Sequence, residues 1–206
     1  ALVSEDGADV EARRHALHAT LDGCDRATRL VDQLLTLSRL EADASLARQP
    51  LDLATLARRV VADLAPQALA HGQQLELQAE APCPTTGNEA LLAVLLRNLV
   101  DNALRYSPAG STVRVRAALQ QGVPALQVDD SGPGMSDADR ARLGERFFRV
   151  PGHDAPGSGL GWSIVRRIAQ AHGLQLQVQP SAELGGLSVQ LRWPPGEVPS
   201  TPVPAR

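Results

Sequence analysis

Apolar residues recur along the chain with two different periods, and the change from one to the other divides it into elements. From Glu11 to Ala42, a stretch without proline, Leu17, Leu21, Cys24, Thr28, Val31 and Leu35 follow at alternating spacings of four and three, the seam of a heptad repeat. Leu30, Leu34 and Leu37 widen that stripe, while Asp22, Asp25, Arg26, Arg29, Asp32 and Arg39 supply a charged outer face. The segment reads as one helix of a multi-helix bundle. Residues 43–50 break the pattern and end in Pro50, which predicts a linker. A new unit starts at Leu51, where Leu53, Leu56, Val60, Val61 and Leu64 share a helical face and Asp52 is placed to cap it.

Further along, Leu75, Leu77 and Ala79 alternate with polar residues as in a strand. Asn88 to Tyr106 predicts a long helix packed through Leu91, Leu92, Leu95, Leu96, Leu99 and Ala103. Two alternating runs, Val113 to Leu119 and Leu126 to Asp130, predict paired antiparallel strands with Gln121 to Pro124 as the turn. The stretch from Ser131 to Gly161 holds seven glycines and three prolines around a short helix from Ser136 to about Glu145, the composition of a functional loop region. A helix from Leu160 to His172 and two strands, Leu174 to Gln179 and Leu187 to Trp193, complete the unit. Residues 194–206 carry five prolines and read as a disordered tail. Three main helices and about five strands, mostly in hairpins, predict a two-layer α/β sandwich over residues 51–193, with helices on one face of a mixed sheet. The long βαβ alternation of a doubly wound fold is missing.

Composition narrows the chemistry. All 20 basic residues are arginine, so the chain cannot use a Walker A lysine, a pyridoxal Schiff base or the strand lysine of eukaryotic-type protein kinases. A net charge of -3 without runs of like charge argues against a nucleic-acid partner. Cys24 and Cys83 match no metal or redox spacing and read as small buried or half-buried thiols in a reducing, cytosolic setting. The longest apolar run, Ala90 to Leu96, falls far short of a membrane span. The chain starts at Ala1 without a signal peptide, and is expected to be a piece of a longer protein.

Four groups could carry chemistry. Asn98, Asn102 and Arg105 line one face of their helix; asparagine is a poor helix former, and its carboxamide oxygen suits a magnesium ion carrying phosphate oxygens, with the arginine in reach of phosphate, although a solvated stripe has the same spacing. Asp130 shares the inward parity of Leu126 and Val128 and precedes the Gly132-Pro-Gly134 turn, which fits an acceptor for an adenine amino group or a turn-capping aspartate. Gly157, Gly159 and Gly161 form a run before a helix that could present backbone N–H groups to phosphates, a weak signal alone. Phe147 and Phe148 between Arg146 and Arg149 fit a ligand lid and core packing equally well. The five histidines read as surface or capping residues.

In this order and at these separations, Asn98-Leu-Val-Asp-Asn102-Ala-Leu-Arg-Tyr106, Asp130-Ser-Gly132-Pro-Gly134, Arg146-Phe147-Phe148-Arg149 and Gly157-Ser-Gly159-Leu160-Gly161 resemble the N, G1, F and G2 boxes of bacterial sensor histidine kinases. The run Asp25 to Leu40 resembles the second helix of that family's dimerisation and phosphotransfer domain, and the likeness is greatest to quorum-sensing and polymyxin-response sensors paired with OmpR-type response regulators. The resemblance implies a Bergerat ATP-binding fold of the GHKL type, with Asp130 on adenine and Asn102 on Mg²⁺. Asn98, Arg105, Tyr106, Gly132, Gly134, Phe148, Arg149, Gly157, Gly159, Leu160 and Gly161 would surround the nucleotide.

Related ATPases of the gyrase and Hsp90 kind carry a general-base glutamate where this chain has Asn98, which cannot deprotonate water, so the resemblance favours phosphate transfer to a histidine over hydrolysis. The acceptor motif, a histidine followed by Glu-Leu-Arg-x-Pro, is absent: neither His15 nor His18 fits it, and residues 1–42 would be a partial dimerisation domain lacking the acceptor helix. The chain is therefore expected to bind ATP without phosphorylating itself. The whole protein would be a homodimer, joined through its helical bundle, with this part on the cytoplasmic side of an inner-membrane sensor. Trp162 follows Gly161 where a small or leucine-like residue is expected, and residues 150–156 make a short lid. A hydrolytic ATPase of the same superfamily and a degenerate nucleotide-sensing scaffold are the rival readings.

Overall fold

A computed structural model describes Arg13, residues 47–145 and residues 160–195. The chain forms two compact units, Ala1–Arg39 and Leu40–Arg206. Of the first, only Arg13, an exposed helical residue, is described, so the heptad helix and its implied dimer lie outside the described residues, as do residues 146–159 and 196–206.

The second unit opens with strand β1 (Gln49–Asp52) and helix α1 (Leu53–Ala70). Asp52 caps α1 as its position predicts, accepting from Ala54 N at 3.2 Å and Thr55 N at 3.1 Å. Strands β2 (Gln74–Gln78) and β3 (Pro84–Gly87) precede helix α2 (Glu89–Tyr106), whose Asn88 cap accepts from Leu91 N at 3.1 Å. Strands β4 (Thr112–Gln120) and β5 (Val123–Asp130) form a hairpin. Its two-residue turn puts Gln121 at φ 54° and Gly122 at φ 78°, the pair of left-handed residues that matches the twist of the strands. A short helix α3 (Asp137–Arg142), helix α4 (Gly161–His172) and strands β6 (Gln175–Pro180) and β7 (Leu187–Arg192) follow.

Five strands pair in the order β2-β4-β5-β7-β6, parallel only between β2 and β4. The mixed sheet expected from the alternating runs is therefore present, and α1, α2 and α4 cover one face, with α2 between the other two. Strand parity explains the layering: Val113, Val115, Ala117, Leu126, Val128, Val189 and Leu191 are buried. They meet Leu92, Leu95, Leu96, Leu99, Ile164 and Ile168 from the helices, the apolar faces read from the 3.6-residue period.

One expectation needs correction. The linker assigned to residues 43–50 ends in regular structure, because Gln49 and Pro50 belong to β1, which pairs antiparallel with β3 through Leu51 and Thr85. That ribbon was not predicted. It is held by Asp52 Oδ1, which accepts from Cys83 N at 2.6 Å, and by Leu53 N donating to Cys83 O at 2.9 Å. Of the two readings given to the histidines, surface or capping, His172 is not a surface residue but an interior one at the end of α4: Nε2 accepts from Asn88 N at 3.0 Å, so Nδ1 carries the proton and donates to Ile168 O at 2.9 Å. His71 is exposed at the end of α1, as expected. Cys83 is buried, and burial pushes its thiol up to about 11.

Candidate functional site

A cleft of about 760 Å³, partly open to solvent, lies between the C-terminal half of α2, the start of α4 and the inward faces of β5 and β7. Leu99, Asn102, Ala103 and Tyr106 form the α2 wall; Val128 and Asp130 come from β5, Leu187 and Val189 from β7, and Trp162 from the first turn of α4. Pro133, Gly134, Met135 and Leu143 close the remaining side. Its walls are mainly apolar with a few polar groups, the usual form of a small-molecule site.

Asp130 is the charged group in this lining. Its Oδ1 accepts from Gly132 N at 2.9 Å and from Leu187 N at 3.1 Å, while its carbonyl accepts from Gly186 N at 3.1 Å. Oδ2 accepts no hydrogen bond among the described residues. The turn-capping and ligand-accepting readings of Asp130 are thus compatible, since the cap uses one oxygen. Burial pushes this carboxyl above the ordinary carboxylate range, the two amides hold it down, and the neighbouring Asp129 adds to the upward push. Gly186 is required at the contact: a Cβ there would lie 2.2 Å from Asp130 Oδ1 and 2.5 Å from Asp130 O. In the sequence Gly185 and Gly186 simply separate two alternating runs, and nothing there marks this role.

At the other end of the cleft, Gly161 opens α4 beside the two asparagines of α2. A Cβ on Gly161 would come within 3.1 Å of Asn98 Oδ1, 3.5 Å of Asn102 Nδ2 and 3.6 Å of Asn102 Oδ1. Asn98 is oriented by donating from Nδ2 to Val94 O at 2.8 Å. Asn102 Nδ2 is buried and has no partner among the described residues, a polar group that calls for an acceptor. The Leu160 side chain cannot cap α4, and the first amides of the helix present its positive end on this side.

The predicted residues thus separate into places. Asn102, Tyr106, Asp130 and Gly134 line the cleft. Gly132 packs behind it, where a Cβ would meet Ser107 Oγ at 2.9 Å and Asp130 Oδ1 at 3.0 Å. Asn98 and Gly161 adjoin each other at the α4 end, and Leu160 is buried just before that helix. Arg105 is half-buried in the last turn of α2 and is not among the lining residues. Phe148, Arg149, Gly157 and Gly159 lie outside the described residues. Met135, Leu143 and Leu187 were not anticipated; they are apolar wall residues, and nothing in an apolar side chain distinguishes a pocket wall from a core position.

Helices over one face of a mixed sheet, with a carboxylate at one end of the cleft and paired asparagines at the other, define a nucleotide-binding α/β sandwich. Residues 87–197 match the family described as histidine kinase-, DNA gyrase B- and HSP90-like ATPase. The chain is 44% identical over 198 residues to the sensor protein QseC of Escherichia coli, covering 94% of this chain and 42% of that protein. It is 36% identical over 200 residues to the sensor protein kinase PmrB of Pseudomonas aeruginosa, covering 96% and 42%. Among solved structures, the cytoplasmic segment of histidine kinase QseC aligns with a TM-score of 0.56 at 35% identity, over 82% of this chain and 93% of that one. Full-length ShkA in complex with AMPPNP aligns with a TM-score of 0.73 at 30% identity, over 92% and 40%. The chain belongs to the histidine kinase-, gyrase B- and HSP90-like ATPase family and carries the ATP-binding catalytic domain of sensor histidine kinases. It spans about two-fifths of the length of these sensor relatives.

Proposed function

We propose that this chain holds ATP for the transfer of its γ-phosphate to a histidine, from which an aspartate of a response regulator receives it. The observation that carries the reading is Asp130, whose Oδ1 is taken by the Gly132 and Leu187 amides while Oδ2 is left for the amino group of an adenine lying against Val128, Val189 and Leu99. Asp130 accepts and orients the base, Tyr106 and Trp162 enclose it, and the start of α4 with Asn98 and Asn102 meets the phosphates. The unpartnered Asn102 amide fits such a ligand, because a phosphate oxygen supplies the acceptor it lacks.

Among the described residues no three His, Cys, Asp or Glu side chains converge, so Mg²⁺ would arrive on the phosphates with Asn102 offering one neutral oxygen. The metal would neutralise charge on the transferred phosphoryl group. Asn98 has no basic group with which to activate water, which supports transfer over hydrolysis.

The response regulator is of the OmpR type, and the whole protein is a homodimer through its helical bundle, with this part on the cytoplasmic side of the inner membrane. The similarity to the sensor proteins QseC and PmrB supports a response-regulator partner. No helix among the described residues is long and apolar enough to cross a membrane. Calorimetric titration with ATP, with and without Mg²⁺, tests the site. Wild type is expected to bind, and Asp130→Asn to weaken binding by about tenfold or more, the effect of a hydrogen bond to a charged acceptor. Equal affinity in the two proteins, or no binding to wild type, overturns the reading.

A further inference from the structure

Asp129 and Asp130 are consecutive on β5 and therefore point to opposite faces of the sheet. Asp130 faces the cleft. Asp129 lies on the side away from the helices, yet it is only 2% exposed, so its charge needs partners. Arg116 Nη1 donates to its Oδ2 at 3.2 Å, Gln127 Nε2 donates to Oδ2 at 2.9 Å and to Oδ1 at 3.1 Å, and the Ser181 hydroxyl donates to Oδ1 at 3.3 Å.

Ser181 is also the closing point of the loop between β6 and β7. Its hydroxyl accepts from Leu184 N at 3.2 Å, its N–H donates to Gly186 O at 2.8 Å, and its carbonyl accepts from Gly185 N at 2.9 Å. Glu183, within the same loop, accepts from Arg114 Nη1 at 2.8 Å and from Arg116. At its far end this loop delivers Gly186 N to the Asp130 carbonyl and Leu187 N to Asp130 Oδ1. Two neighbouring carboxylates thus grip one loop from opposite faces of the sheet.

We infer that Asp129, acting through Ser181 and Arg116, is a positioning residue for base recognition: it fixes the loop whose Leu187 amide occupies Asp130 Oδ1 and so reserves Oδ2 for the amino group of the ligand. The inference rests on the reading of Asp130 as the adenine acceptor. One physical effect supports it. The loop carries two successive glycines, and without the Ser181 anchor its backbone gains conformations in which the Leu187 amide leaves Asp130. A network serving stability alone changes the melting temperature without changing which base is preferred.

The test compares ATP with purine riboside triphosphate, which lacks the 6-amino group, by calorimetry on the 206-residue chain carrying Asp129→Asn, Ser181→Ala or Asp130→Asn. Wild type is expected to prefer ATP. Asp129→Asn should reduce that preference by about tenfold and Ser181→Ala by about threefold, the effects of one charged and one neutral hydrogen bond. Neither should reduce it further in the Asp130→Asn background, as coupled residues behave. Ser181→Ala removes a single hydroxyl and keeps the test available if Asp129→Asn does not fold. If wild type prefers ATP and both variants retain the full preference, the positioning role is overturned while the adenine reading stands. If wild type shows no preference, the adenine reading itself fails.

Discussion

At the scale of single residues, Asp130 combines a structural and a ligand-facing role by dividing them between its two oxygens. Burial raises its proton affinity in the folded chain above the ordinary aspartate value of 3.8, so the carboxylate form appears at higher pH than in the unfolded chain. The sign follows: the stabilisation its proton gives the folded state is complete below 3.8 and is lost as pH rises through the raised value. Asp130→Asn should therefore unfold in denaturant within about 1 kcal/mol of wild type near neutral pH, since Asn Oδ1 can accept the same two amides. Binding has the opposite pH dependence. The affinity ratio of ATP to purine riboside triphosphate, in which phosphate titration cancels, should hold near neutrality and decline on acidification before 3.8 is reached; a flat ratio contradicts this. Asp130 was legible because strand parity and the glycines after it both mark the position. Its Leu187 partner was not, because a backbone donor leaves no trace in side-chain identity.

Among the elements, helices and long strands were legible because burial acts on them through a period. Helix α2 begins at a capping asparagine, and β4 and β5 alternate through their pairing from Val113 with Asp130 to Gln120 with Val123. The β1–β3 ribbon escaped because each strand has four residues, each contains a proline, and the ties are distant in sequence: Trp193 Nε1 donates to Thr86 O at 3.4 Å, and Arg48 Nη2 to Ala171 O at 2.8 Å. Asp52 joins ribbon and helix. Burial pushes its carboxyl up, but the Thr55 hydroxyl and the amides of Cys83, Ala54 and Thr55 together hold it below 3.8. Asp52→Ala should cost about 1 kcal/mol in urea unfolding near neutral pH, since the group is partly exposed and solvent screens its charge. The difference should persist down to 3.8 and shrink as pH falls through the lowered value, because a depressed acid stabilises only while ionised.

At the scale of the whole second unit, α2 links the β1–β3 ribbon side to the cleft. Asn88, at its start, meets the buried His172 at the end of α4, while Asn98, Asn102 and Tyr106 on its later turns meet the start of α4 and the cleft. The two helices therefore run antiparallel, each carrying core contacts at one end and ligand-facing groups at the other. Ligand binding should add to global stability by mass action: ATP at 100 times its Kd is expected to add about 2.7 kcal/mol to wild type, read from denaturant midpoints, and much less to Asp130→Asn at the same concentration. The frame of β5 carries a consequence for how this sequence can change length. A one-residue insertion or deletion inside the strand exchanges its faces, moving Val128 outward and Gln127 inward. The cleft would still present an acid, Asp129 in place of Asp130, but one displaced by a residue from the Gly186 and Leu187 amides and stripped of Arg116. Length variation should therefore collect in the turn at Gly122, where an added residue alters only the loop, and be absent from the strand between that turn and the carboxylate pair and from the loop that ends at Gly186.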